Sequence, residues 1–253
     1  MTLSDLHVHT TFCDGENTPE EMVLAAIERK MQRIGFSGHS YTSFDSSCCM
    51  TIEGTEEYKK EIRRLKEKYS DRIEILCGIE QELFSDFPAE GYDYIIGSSH
   101  YLKKDDGNYI AIDYSPEVFE EAARKYYGGD YYRMAEEYFE NISSVADMGA
   151  DIVGHFDLIA VFNKGNRFFD ENNSRYLAAG KAAADKLLKK GLSFEVNTGA
   201  ISRGRRDIPY PAPEFLRYII KNGGSVVLSS DSHRTDTLCF EFDKWREYID
   251  SLL

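Results

Sequence analysis

Ser4-Asp5-Leu6-His7-Val8-His9, near the N-terminus, and Ser229-Ser230-Asp231-Ser232-His233, near the C-terminus, share one pattern. Each places metal-type side chains at alternate positions at the end of an apolar run, Leu3–Val8 in the first case and Ser225–Ser229 in the second. Alternate residues of a strand face the same way, so His7 and His9 project together, as do Asp231 and His233. If both runs are strands of one parallel sheet, residues just past their C-termini converge on a common face.

The sequence between them supplies the repeats that such a sheet needs. Thr18-Pro19-Glu20-Glu21 reads as an N-cap, a proline at the first helical position and an acidic first turn, opening a helix to about Gln32. Ile34–Ser37 reads as a short strand. Glu56–Tyr69 reads as an amphipathic helix with Tyr58, Ile62, Leu65 and Tyr69 on one face. Arg72–Ile79 and Tyr92–Ser98 read as strands, Pro116–Tyr126 and Tyr131–Met148 as helices, and Asp151–Gly154 as a strand. The helix Asn173–Lys190 ends at Gly191, and Leu192–Val196 is the next strand. Pro213–Asn222, Ser225–Ser229 and Phe240–Leu252 complete the order as helix, strand and helix. About seven βα units with right-handed crossovers suit a barrel better than an open sheet. No linker, repeat or low-complexity run interrupts them, so residues 1–253 are expected to form one domain.

Bulk properties exclude several functions. With a net charge of −14, the chain lacks the clustered Lys and Arg that long nucleic acids require. No apolar stretch approaches the roughly 20 residues of a membrane span. The five cysteines form no CxxC pair, and the opening residues do not resemble a signal peptide, so a cytoplasmic location is expected. Cys48 and Cys49 read as a reduced loop pair near the site, because vicinal disulfides are strained.

The histidines carry the functional signal. There are six, His7, His9, His39, His100, His155 and His233, and each sits where a strand ends or a following loop begins. Asp14 follows the first strand, Glu80 ends Gly78-Ile79-Glu80 and Asp231 precedes His233. Six imidazoles and three carboxylates exceed the four ligands of one zinc, so two or three metals are expected. Mixed nitrogen and oxygen ligation without thiolate suits zinc, manganese or iron.

The ordered motifs His-x-His, Gly-His-Ser, Gly-Ile-Glu, Ser-Ser-His, Gly-His-x-Asp and Ser-Asp-Ser-His resemble the PHP (polymerase and histidinol phosphatase) superfamily from Asp5 to His233. Ser98-Ser99-His100 and Glu195-Val196-Asn197-Thr198-Gly199 resemble its histidinol-phosphate phosphatase branch most. The resemblance implies a distorted (β/α)7 barrel. It also implies three metal sites: His7, His9, Glu80 and Asp231 for the first; Glu80 as a bridge with His100 and His155 for the second; Asp14, His39 and His233 for the third. Asp14 stands where some family members have histidine, which puts the third metal in question.

The implied activity is hydrolysis of L-histidinol phosphate by a metal-bridging hydroxide attacking phosphorus. The leaving oxygen then takes support from the third metal or a proton from His233 or Asp14. The alternatives are another small phosphoester, such as a nucleotide or phosphotyrosine, or a metal-binding module without catalysis. Arg203 and Arg206, in the loop after the Leu192–Val196 strand, and Arg167, after the His155 strand, are candidate phosphate clamps, because guanidinium donates paired hydrogen bonds to phosphate. Asn197 is a candidate for positioning substrate. Asp157 either orients a ligand or caps the next loop, and the tyrosines between Tyr92 and Tyr138 are read chiefly as an aromatic core.

Overall fold

The structure, a computed structural model, describes residues 3–253. Its strands are β1 (Ser4–Asp5), β2 (Arg33–Phe36), β3 (Glu74–Glu82), β4 (Tyr94–Ser98), β5 (Tyr101–Lys103), β6 (Tyr109–Ala111), β7 (Ile152–Val153), β8 (Ser193–Asn197) and β9 (Val226–Ser229). The helices are α1 (Pro19–Glu28), α2 (Ile52–Lys68), α3 (Pro116–Tyr127), α4 (Tyr131–Ser143), α5 (Ser174–Lys189), α6 (Gly199–Ser202), α7 (Pro213–Lys221) and α8 (Phe242–Asp250).

Seven strands form one parallel sheet in the order β1-β2-β3-β4-β7-β8-β9. Its first and last members meet beyond their regular ladders. Val8 bridges Ser232 in parallel, the His9 N–H donates to Ser232 O at 2.8 Å, and the Ser232 N–H donates to His7 O at 3.1 Å. The buried Asp5 carboxylate accepts from the Ser230 N–H at 3.0 Å and the Cys239 N–H at 3.1 Å, clamping the seam. The sheet is therefore a nearly closed, distorted (β/α)7 barrel, as the unit count and the family resemblance anticipate. The distortion lies at the seam: the run Leu3–Val8 keeps regular pairing only over Ser4–Asp5, because its continuation answers Ser37 and Ser232 singly.

Tyr94 fills the barrel interior. Its hydroxyl donates to Leu6 O at 2.5 Å and to Phe36 O at 3.0 Å. The ring lies so close to Gly78 that a Cβ there would sit 2.2 Å from it, so only glycine fits. Outside, the predicted face of α2 is the buried one, with Tyr58, Ile62 and Leu65 inward, and α4 buries Met134, Tyr138 and Ile142. Phe139 centres an aromatic cluster with Tyr138, Phe156, Tyr176 and Phe215, which accounts for part of the tyrosine-rich region as core.

Several boundaries move for local reasons. α2 starts at Ile52 rather than Glu56 because the Thr51 hydroxyl caps the Gly54 N–H at 2.9 Å. α4 stops at Ser143 and tightens into a 3-10 turn over Ser144–Met148. The antiparallel pair β5–β6 is absent from the sequence reading, although Asp106-Gly107 marks its turn, with the Gly107 N–H donating to Lys104 O at 2.9 Å.

Candidate metal centre

All nine predicted ligands lie at the C-terminal ends of the barrel strands, and the barrel brings them together. His7 and His9 leave β1 with ring centroids 5.1 Å apart. Glu80, on β3, is the hub. Its Oε2 lies 3.3 Å from His7 Nε2, 3.5 Å from His9 Nε2 and 2.9 Å from His39 Nδ1. Its Oε1 lies 2.8 Å from His155 Nε2 and 3.3 Å from His100 Nε2. Asp231 Oδ1 closes the first group at 3.5 Å from His9 Nε2 and 3.8 Å from His7 Nε2. Asp14 Oδ2 lies 3.2 Å from His233 Nε2 and 3.6 Å from His39 Nε2.

This arrangement fits bound ions. His7 Nε2, His9 Nε2 and Glu80 Oε2 are buried atoms with no hydrogen-bond partner. Orphaned buried polar atoms are costly and rare, and three converging on one point call for a cation. Four ligands at zinc-type bond lengths of about 2.0–2.1 Å in a tetrahedron lie about 3.3 Å apart, close to the separations found around Glu80. Ligand geometry picks out three overlapping groups: His7, His9 and Glu80; His39, Glu80 and His100; and His9, Asp14, His39 and His233. His39 thus stands between two of them, and His9 also belongs to two, a sharing that the family-implied assignment lacks.

Protonation divides the cluster: against burial, neighbouring carboxylates hold His7, His39 and His100 well above the ordinary imidazole range, so an ion binding there displaces protons. Burial, with His233 and His39 close by, pushes the His9 imidazole well below its ordinary range, leaving it neutral as a metal ligand must be. Burial by itself raises a carboxyl, but His7, His39 and His100 hold Glu80 well below the usual carboxylate range. For Asp231 the same opposition is won by Arg203, His7 and His233.

Behind these residues stand orienting carboxylates that the sequence reading did not assign. Glu195 Oε2 meets His7 Nδ1 at 2.8 Å and accepts from Ser229 Oγ at 2.6 Å, while its Oε1 accepts the His155 N–H at 2.5 Å. Glu82 Oε2 takes both the N–H and Nδ1 of His100, each at 2.9 Å. Each leaves Nε2 aimed at the centre, the usual way a carboxylate behind a histidine fixes its tautomer and ring. The signal was available in part: Glu82 is two residues after Glu80 on the same strand and so shares its face.

The remaining candidates separate. Arg203 lines the cavity beside the cluster, with its guanidinium on Asp231 Oδ2 at 2.8 Å and Asp231 O at 3.0 Å. Gly199 permits this, since a Cβ there would lie 2.7 Å from the Arg203 guanidinium and 2.9 Å from the Asp231 carboxylate. Arg206 does not line the cavity. It is buried, and donates to Glu171 Oε2 at 2.8 Å and Ala160 O at 2.6 Å. Arg167 also lies away from the cavity, over the Phe168 ring at 4.8 Å. Arg205, two residues past the end of α6, lines the cavity instead. Asn197 is fully buried and holds ligand-side groups rather than the cavity: its Nδ2 donates to Glu195 Oε1 at 2.8 Å and its Oδ1 accepts the Gly199 N–H at 2.8 Å. Asp157 caps the Ala212 N–H at 3.1 Å, settling that residue as a loop cap. Burial, opposed by Arg206 and reinforced by Glu171, pushes its carboxyl up to about 7.

The cavity holds about 350 Å³, at the small end of ligand pockets. Its walls include Cys48 and Cys49, as unpaired thiols, with Tyr101, Asp113, Tyr114 and Tyr210. Tyr101 and Tyr114 are the tyrosines of the Tyr92–Tyr138 region that line this cavity.

Barrel and cluster together define a metal-binding (β/α)7 protein with a small-molecule cavity at its C-terminal rim. The PHP domain family model matches residues 5–199, and the chain belongs to that family. A Schizosaccharomyces pombe protein named probable histidinol-phosphatase is 27% identical over 267 residues, covering 96% of this chain and 85% of that protein. A solved structure from Listeria monocytogenes superposes with a TM-score of 0.83 at 20% identity, over 96% of this chain and 99% of that one. Histidinol phosphate phosphatase from Lactococcus lactis, solved with zinc, L-histidinol and phosphate, superposes with a TM-score of 0.74 at 20% identity, over 99% of this chain and 94% of that one. At these identities the two structures establish the shared fold.

Proposed function

We propose that this protein is a metal-dependent phosphomonoesterase that hydrolyses L-histidinol phosphate to L-histidinol and phosphate, with residues 1–253 acting as one catalytic unit. The observation that carries the reading is the convergence of nine ligand residues, with orphaned buried nitrogens on His7 and His9, in a cluster of which seven members line a cavity that also holds Arg203. The names of the relatives point to the same substrate.

His7, His9, Glu80 and Asp231 would hold one divalent transition metal, and Glu80, His100 and His155 a second. Zinc, manganese and iron suit these donors. When bound, such ions lower the pKa of water and neutralise phosphoryl oxygens. Arg203 and Arg205 give the cavity the cationic charge that clamps a phosphate. Arg203 also keeps Asp231 ionised, so it supports both the ligand set and the substrate. Asp14, His39 and His233 would hold a third ion; in its place His233 or Asp14 would serve the leaving oxygen as proton donor. Among the described residues no helix is long and apolar enough to cross a membrane. The unpaired thiols of Cys48 and Cys49 at the cavity support a reducing, cytoplasmic setting.

Metal analysis of the purified protein is expected to find at least two equivalents of a transition metal; none at all would end the enzyme reading. Steady-state kinetics on a panel of small phosphomonoesters is expected to favour histidinol phosphate over nucleoside phosphates and phosphotyrosine by orders of magnitude. Equal turnover across the panel removes the substrate while leaving the chemistry.

A further inference from the structure

Cys48 and Cys49 are adjacent in sequence, and adjacent residues of an extended chain face opposite ways. Here both line the metal-centre cavity. The reason is a bend in the chain over residues 47–49. The Ser47 N–H fixes its start by donating to Asp45 Oδ1 at 2.9 Å. Asp45 O gathers the rest, accepting from the Cys49 thiol at 3.1 Å and the Thr42 hydroxyl at 2.6 Å. Just beyond, the Met50 N–H donates to His39 O at 3.1 Å, so the bend hangs from the backbone of a ligand residue. Two unpaired thiols are thus presented together on one wall, whereas Cys13, Cys77 and Cys239 do not line this cavity.

The surroundings narrow the chemistry open to this pair. Burial pushes the Cys48 thiol up, against the pull of His39 and His100. A thiol held protonated is a poor nucleophile, which disfavours covalent catalysis and peroxide sensing. A disulfide between adjacent cysteines is strained. Chelation meets neither obstacle. One soft atom held by both sulfurs closes a wider ring than a disulfide, and soft centres are what thiols select. Trivalent arsenic is such a centre. An arsenoxide, hydrated as R–As(OH)2, loses both oxygens as water, each taking one thiol proton, while two As–S bonds form. Arsenic stays trivalent, so the step requires no oxidant or reductant.

We propose that Cys48 and Cys49 form a dithiol site for trivalent arsenic on the wall of the metal-centre cavity, and that filling it closes the cavity to substrate. A cavity of about 350 Å³ has little room for an aryl-arsenic group and a phosphoester together. The binding site stands on the geometry of the bend alone; its effect on turnover rests on the phosphomonoesterase reading.

The test treats the metal-loaded protein with one equivalent of phenylarsine oxide and weighs it by mass spectrometry. The wild type is expected to gain one phenylarsine oxide less one water, the signature of two As–S bonds; a single-thiol adduct keeps that water. The adduct is expected to survive about a hundredfold excess of 2-mercaptoethanol, because its second bond forms within one molecule. Trypsin is expected to place it on residues 34–59, a fragment whose only cysteines are Cys48 and Cys49. In Cys48→Ser and in Cys49→Ser the monothiol is expected to remove it. On treatment, wild-type kcat/KM for histidinol phosphate is expected to fall about tenfold or more with metal content unchanged. No lasting wild-type adduct overturns the dithiol site, as does one that maps outside residues 34–59 or lasts in either variant. A lasting adduct that leaves kcat/KM unchanged overturns the closing of the cavity. A protein that turns over no phosphoester defeats the phosphatase reading, while the mass measurement still decides the dithiol site. The fragment mapping uses only the wild type, so it decides even where a variant folds poorly.

Discussion

Two buried clusters of charge lie side by side at the top of this barrel, and they are organised in opposite ways. Around Arg206, a cation is matched by Glu171 Oε2 at 2.8 Å and by Ala160 O at 2.6 Å, while the neighbouring Asp157 accepts the Ala212 N–H. Around Glu80, imidazoles crowd one carboxylate, and His7 Nε2, His9 Nε2 and Glu80 Oε2 have no partner. The first cluster leaves Arg206 Nε unanswered, but its opposite charges are matched within it and its orphaned atoms do not converge. The second is completed only by ions. A buried ionisable group is thus weak evidence of function; a buried group whose polar atom converges with others and remains unanswered is strong evidence.

The contrast can be broken by substitution. The largest effect is expected at Glu80. Glu80→Gln removes the bridge between two groups of ligands, so metal content is expected to fall and kcat to drop by about a thousandfold or more. Elemental analysis alongside kinetics checks both, and a fully metallated, active variant would show that Glu80 is not the hub. Arg203→Ala comes next, with kcat/KM for a phosphomonoester falling by about 10²–10³. An unchanged value takes Arg203 out of the substrate site and leaves it as a partner of Asp231.

Arg206→Ala is expected to act on stability instead. It strands Glu171 and Asp157 in buried surroundings, which costs about 3 kcal/mol and lowers Tm by about 6–12 °C. Metal content of the folded protein is expected to stay at the wild-type level, so calorimetry with elemental analysis distinguishes the two clusters. Loss of metal with an unchanged Tm would erase the division between them.

A surface cluster supplies the smallest effect. Glu20 on α1 accepts from Lys68 at 2.5 Å, Tyr69 at 2.6 Å and Arg64 at 2.9 Å, tying α1 to α2. Hydrogen bonds from these three, Lys68 foremost, lower its carboxyl to about 2. A depressed carboxyl stabilises the folded state above its unfolded pKa of about 4.3 and loses that contribution as pH falls toward 2. Glu20→Gln is therefore expected to lower Tm by about 1–3 °C at pH 7 in low salt, and by less as salt rises or pH drops below 4. A salt-independent decrease would mean that packing, not charge, joins the two helices.

The ligand set was legible because two periodicities coincide. His7 with His9 and Asp231 with His233 repeat the strand period of two, and each pair ends an apolar run, so direction and location follow from local geometry. The arginines were not legible in this way. Arg203, Arg205 and Arg206 lie within four positions of one another in what reads as a loop, yet Arg203 and Arg205 line the cavity while Arg206 is buried in the protein. Arg167 follows a predicted strand as a clamp should, but stacks on Phe168. No local rule separates these outcomes, because each depends on which distant partner, Asp231 or Glu171, waits at the end of a long side chain.

The sequence by itself determined the order of βα units, a parallel sheet and the nine residues past its strand ends, since these follow from hydrophobic period, caps and strand direction; the barrel came from the unit count and the family resemblance together. Only the tertiary structure decided how those residues share one another. It set Glu80 between two groups of imidazoles, and Glu195 and Glu82 behind His7 and His100. Those relations span up to 188 residues, as between His7 and Glu195, and they exist only once the barrel closes and strands remote in the chain become neighbours.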